Sequence, residues 1–143
     1  MLFKRVGRDS PEVAYIVAKN VSGSTLTAGY SAVFDVSASV DGVRVTQASA
    51  TDLSAFAGVA NSDIANNGYG LLQVYGYRSS IYIYSSTGTS AAGDVLGTVA
   101  AEWGLTPSTT GTISQGWGFL CESVAASSSS RYHTTAKAFI RAL

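Results

Sequence analysis

Apolar and polar positions alternate along most of the chain in short runs, and Gly, Ser, Asn or Asp interrupts each run. A repeat of two places successive side chains on opposite faces of an extended backbone, so the runs predict strands. They fall at residues 13–18, 31–36, 43–47, 56–60, 70–76, 80–85, 94–100, 118–124 and 135–143. Asn20-Val21-Ser22-Gly23-Ser24 reads as a turn, and Asp41-Gly42 is the dipeptide that closes a two-stranded hairpin. No window sustains a 3.6-residue period. The nearest approach is 48–56, where Thr51 could cap a short helical turn. Many short strands with turn residues between them predict an all-β chain, a single compact β-barrel or β-sandwich of about eight or nine short strands. Residues 1–12 precede the first run and close on Ser10-Pro11, where proline disfavours helix and ladder pairing, so they read as an N-terminal extended arm. Residues 13–143 form the one domain, with no internal repeat of fixed period and no Pro/Gly linker.

Two segments carry more detail. In 116–124, alternation puts Trp117, Phe119 and Cys121 on one face and Leu120 and Val124 on the other. Apolar residues on both faces predict a strand covered twice, once by the core and once by a neighbouring subunit, with Cys121 buried and unreactive. In Tyr77-Arg78-Ser79-Ser80-Ile81, a turn centred on the serine pair would set Tyr77 opposite Tyr82 and Tyr75 opposite Tyr84. Four tyrosines would then line one face, and Val74, Ile81 and Ile83 the other. Such a ladder either stiffens a half-exposed sheet or forms a contact patch, since tyrosine is enriched at interfaces.

Composition narrows the function. Charged residues are 13% of the chain, against about 25% in a typical soluble domain. Nine basic and nine acidic residues cancel, and a domain with so little charge tends to associate. That balance excludes the basic stripe that nucleic-acid binding needs. Basic residues gather only at the N-terminus, where Lys4, Arg5 and Arg8 sit beside Leu2 and Phe3. An arm of this kind is expected to anchor Phe3 in a neighbour's pocket while its cations meet acidic groups there. One cysteine allows no intrachain disulfide. No run of 18 apolar residues exists to cross a membrane, and the N-terminus lacks the apolar core of a secretory signal, so synthesis in a cytoplasm is expected.

Catalytic constellations are sparse. The one histidine, His133, could join Asp94 and a serine on paper, but there is no G-x-S-x-G elbow. Cys121 with His133, or Glu102 with Glu122, are pairs without supporting spacing. No phosphate loop, dinucleotide fingerprint or calcium loop occurs. Asn20-Val21-Ser22 matches a glycosylation acceptor but reads as a turn. The expectation is no enzyme, no cofactor and no metal.

Three turn-centred patterns together carry a resemblance. They are Asn20 to Gly29 followed by Ala32-Val33-Phe34-Asp35; Phe56-Ala57-Gly58-Val59-Ala60, Ile64 and Asn67-Gly68-Tyr69-Gly70 leading into 71–76; and Ala92-Gly93-Asp94-Val95-Leu96. In this order they resemble the capsid decoration, or structural cement, proteins of tailed bacteriophages, over residues 13–100. The resemblance implies a β fold on the outer surface of a capsid, bridging capsomers. It also implies the major capsid protein as partner, a homo-oligomer with a trimer favoured, and location in the virion. Candidate contact residues are Phe3, Lys4, Arg5, Arg8, Tyr75, Tyr77, Tyr82 and Tyr84. The competing expectation is a phage tail or fibre domain or a small carbohydrate-binding module, using Trp103, Trp117 and the tyrosines to stack on sugars.

Overall fold

In the computed structural model the described residues are 2–4, 12–37, 41–85, 89–108, 116–125 and 132–142. They form strands β1 (Leu2–Lys4), β2 (Val13–Asn20), β3 (Ser31–Phe34), β4 (Arg44–Thr46) and β5 (Phe56–Ala60). These are followed by β6 (Tyr69–Ser85), β7 (Val95–Gly97), β8 (Thr106–Ser108), β9 (Gly118–Leu120) and β10 (Tyr132–Arg141). No helix occurs among the described residues. Residues 48–55 turn without a helix and lead into β5 at Phe56. The Asp52 carboxylate accepts the Ser49 amide at 2.5 Å and its carbonyl accepts the Ala55 amide at 2.8 Å, which fixes the backbone locally without a helical ladder. Asp41-Gly42 forms a local turn, but it does not close a two-residue hairpin: Phe34 pairs with Val45 and Asp35 N–H donates to Arg44 O, so the pair lies on one arm of a longer connection. β3 and β4 pair antiparallel, Gly42 takes φ 69°, and Asp41 Oδ1 accepts the Val43 and Arg44 amides, each at 2.9 Å.

The hairpin expected at Ser79-Ser80 does not exist. β6 runs unbroken through both halves as one strand of 17 residues. Across from it, Ala136 pairs with Ile81 and Ala138 with Arg78, so the two serines stand opposite Lys137 alone as a bulge. A local turn loses here because distant strands pair with both halves of the segment. β2 and β5 pair with its N-terminal part, and β10 pairs on both sides of the serines, with Tyr75 to Arg78 and with Ile81 to Ser85.

The pairings describe two rings that share β6. In the first, β2 pairs parallel with β4, and β4–β3, β3–β5, β5–β6 and β6–β2 are antiparallel. In the second, the C-terminal half of β6 takes the place of β2. β6–β10, β10–β9, β9–β7 and β7–β8 are antiparallel, and the parallel bridge Ile83–Leu105 closes the circuit next to β8. Local hydrogen bonds repeat as well. The bridge Leu26–Ile64 has its counterpart in Ser90–Val124. Gly29 N–H donates to Ala60 O, and Gly93 N–H to Leu120 O. Ala28 N–H donates to the Asp63 carboxylate at 2.8 Å, and Ala92 N–H to Ser123 Oγ at 3.3 Å. The chain is therefore two copies of one strand plan. The repeat is hard to see in the sequence because, apart from Ala28-Gly29 and Ala92-Gly93, these matched positions carry different residues.

Each ring encloses its own core. Ala18, Leu26, Ala32, Val45, Ala57, Ala60, Ile64 and Leu72 fill the first. Ile81, Ile83, Leu96, Leu105, Leu120, Ala136, Ala138 and Ile140 fill the second, together with Phe56 and Val59 from the first ring. Those two residues knit the units together.

Candidate interaction surface

Alternation along β10 sends Ala138 and Ile140 into the core and leaves Phe139 on the outer face, half-buried. Register then assembles an aromatic row across three strands. Tyr77 on β6 stands opposite Phe139, and Phe139 opposite Phe119 on β9. The Phe119 and Phe139 rings stack at 5.4 Å with planes 10° apart, and Tyr75 meets Phe139 edge-on at 5.2 Å. Tyr77 is 36% exposed and Tyr75 similarly open.

Tyr82 and Tyr84 belong elsewhere. Tyr82 packs on Tyr30 at 4.7 Å and stacks on His133 at 5.3 Å. Tyr84 meets His133 at 5.2 Å, and Tyr30 stacks on Trp103 at 5.8 Å. Tyr84 is buried. Burial, with Tyr30 and then Glu102 nearby, pushes the Tyr82 phenol above its ordinary range. The four-tyrosine ladder is thus corrected to two separate groups, because one continuous strand replaces the hairpin. Phe119 and Phe139 were absent from the sequence candidates.

Of the arm, Leu2–Lys4 pairs antiparallel along β2, with Leu2 opposite Tyr15, Phe3 opposite Ala14 and Lys4 opposite Val13. Phe3 and Lys4 thus lend backbone to the domain's own sheet. Arg5 and Arg8 lie outside the described residues.

Cys121 is exposed, contrary to expectation. Alternation sets Cys121 on the same side as Phe119, and the structure turns that side outward while Gly118 and Leu120 are buried; β9 then ends at Leu120 and a bend follows. Partial burial, aided by the Glu122 charge, raises its pKa. Trp117 likewise precedes the strand, and it packs on the second core rather than sharing the outer face of Phe119. It stacks on Phe56 as Trp103 does on Tyr30, so both tryptophans spend a ring face inside the protein.

The titratable candidates are engaged separately. The Asp94 carboxylate accepts the Ala91 amide at 2.8 Å. Glu122 accepts the Lys137 amide at 2.8 Å and pairs with its ammonium at 3.1 Å. Among the described residues no cluster of His, Cys, Asp and Glu is arranged to hold a metal. The depression between the rings, about 350 Å³, is lined by Tyr15, Asn61, Gln73, Tyr77, Arg78, Ser79 and Ser80. There Arg78 donates to the carbonyls of Ala60 at 2.8 Å and Ser80 at 3.0 Å, and desolvation lowers its pKa. It acts as a rivet across the junction.

No family model and no curated protein matches the chain. Among solved structures it is similar to the head fibre gp8.5 N base of bacteriophage phi29, with a TM-score of 0.50 and 14% identity. The match covers 91% of this chain and 95% of that one. What the two share is the fold. The match spans both rings and not one alone.

Proposed function

We propose that the chain is a non-enzymatic virion structural protein of a tailed phage, which binds the outer surface of the capsid and cements neighbouring capsomers. The observation that carries this reading is the fold likeness to a phage head-fibre base over nearly the whole chain. The half-exposed aromatic row on a domain of low charge content and zero net charge agrees with it, since aromatic side chains surrounded by few charges make contact surfaces. Many copies of a modest contact on one shell hold through multivalency.

The test is co-sedimentation of the purified protein with undecorated capsids, comparing wild type with Y75S/Y77S. Binding by the wild type and its loss in a variant that still melts at the wild-type temperature is expected. Absence of wild-type binding overturns the reading. The same likeness favours one second reading, attachment as the base of a head fibre. Electron microscopy of labelled virions separates the two, because a fibre projects beyond the shell and a cement protein lies flat along capsomer seams.

A further inference from the structure

The depression at the junction of the two rings holds a cation with no counter-charge. Arg78 lines it beside Tyr15, Tyr77, Gln73, Asn61 and the two bulged serines. Its Nε donates to Ser80 O at 3.0 Å, and its Nη2 to Ala60 O at 2.8 Å and Asn61 O at 3.5 Å. Carbonyls offer dipoles but no charge. The ion pairs among the described residues join Arg44 and Lys137 to their acids, and none includes Arg78. Desolvation is the main influence on the guanidinium, followed by the Tyr15 phenol, which is uncharged near neutral pH. A half-buried charge in this position gains when an anion arrives to pair with it.

The guanidinium is also held in place with donor capacity to spare. Gln73 Nε2 donates to the carbonyls of Tyr75, Gly76 and Tyr77 at 3.3, 3.0 and 3.2 Å, which fixes the side-chain amide. Its Oε1 then lies 3.4 Å from Arg78 Nη1, a long contact. Nη1 carries two N–H groups, so at least one remains for a ligand in the depression.

The rest of the lining selects what that ligand is. The side chains of Asn61, Ser79 and Ser80 are exposed and spend no hydrogen bond within the described residues. An apolar ligand would strand these groups, whereas a hydroxyl-rich one exchanges hydrogen bonds with them. Tyr77 is 36% exposed and offers a ring on which the C–H face of a sugar can pack. The volume of about 350 Å³ falls at the lower end of small-molecule sites, which begin near about 300 Å³, and a lone acidic side chain would leave most of it unfilled.

We propose that this depression binds a carboxylated saccharide, with the carboxylate on Arg78, hydroxyls on Asn61, Ser79 and Ser80, and a ring face on Tyr77. An arginine fork matches a carboxylate in geometry as well as in charge. The inference does not rest on capsid binding.

The experiment is an NMR titration near neutral pH that follows the Arg78 Nε–H and the backbone amides of 77–80. The probes are galacturonic acid, its trisaccharide, neutral galactose and acetate. Saturable shifts are expected with both acidic sugars, and binding weaker by about tenfold or more with galactose and with acetate, since each lacks one half of the recognition. Ser79→Asp, at an exposed position, supplies the missing carboxylate from within the chain. It should abolish sugar binding while the melting temperature holds or rises. Arg78→Gln should lose binding too. Because Arg78 also ties the rings together, its melt is recorded alongside, and Ser79→Asp carries the test if Arg78→Gln unfolds. Absence of saturable shifts with the acidic sugars overturns the proposal. So does equal binding of galactose, which makes the charge irrelevant, or of acetate, which leaves an anion site without sugar recognition. Undiminished binding by Ser79→Asp overturns it as well.

Discussion

Phe56 of the first ring stacks on Trp117 at the edge of the second, with ring centroids 5.4 Å apart and planes 22° from parallel. The pair spans the boundary between two units whose strand plans are the same, so it reports on how firmly the units are joined. Trp117→Ala is expected to cost about 2–4 kcal/mol, from lost apolar burial and the cavity left behind. A double-mutant cycle with Phe56→Ala should return a coupling of about 0.5–1.5 kcal/mol, measured by urea denaturation. Among the described residues the buried Trp117 indole N–H has no acceptor. Trp117→Phe should therefore cost much less than Trp117→Ala, because it removes an unsatisfied donor along with part of the ring.

Gly76 is fixed by its contact with the strand entrance. It holds φ 105°, and a β-carbon there would collide with the Glu12 carbonyl oxygen and crowd Val13 Cα. Both obstacles are backbone and cannot swing aside. Gly76→Ala should destabilise the fold by about 2–4 kcal/mol, combining backbone strain and overpacking. Gly93→Ala, in open space at φ 95°, carries the strain without the collision and should cost distinctly less. Parallel thermal melts of the two variants check the difference.

The Glu122–Lys137 pair predicts a pH response. Hydrogen bonds from the Lys137 amide and then its ammonium lower the Glu122 pKa, and the carboxylate raises that of Lys137. A lowered carboxylate contributes stability above its unfolded pKa and loses it as pH falls through the folded value. The raised ammonium contributes below its unfolded pKa and loses it as pH rises through the folded value. The pair is thus effective between the carboxylate and lysine ranges. Glu122→Gln should flatten the acid limb of a melting-temperature profile, and added salt should shrink the difference because both groups face solvent. An unchanged acid limb would show that the pair adds nothing to stability.

Cys121 is expected to label in the native protein. Its exposure permits attack, while partial burial and the neighbouring Glu122 hold the thiolate fraction down. Native labelling at pH 8 should run slower than in denaturant yet reach completion without unfolding, and Glu122→Gln should accelerate it. Protection that lasts until the protein unfolds would contradict the exposed position.

Local chemistry in the sequence determined a good deal. Alternating runs located β5 at its observed limits and the centres of β2, β3, β4, β7, β9 and β10, and Asp41-Gly42 set a turn that depends only on its own side chain and a positive φ. Breaks in alternation were legible as breaks. Their meaning was not. Ser79-Ser80 is a turn by composition and a bulge in the structure, since long-range pairing with β10 and β2 outweighs the weak preference of two serines. Strands β1 and β8 have no pattern of their own and exist because a neighbouring edge accepts them. The doubling of the fold left little trace in residue identity: Ala28-Gly29 matches Ala92-Gly93, but equivalent positions such as Asp63 and Ser123 need only accept one amide hydrogen bond and differ. The separation of Tyr75 and Tyr77 from Tyr82 and Tyr84, and the exposure of the aromatic row across β6, β10 and β9, were decided by tertiary structure alone. Period-two alternation assigns a side chain to a face, but only the packing of one ring against the other determines whether that face meets protein or water.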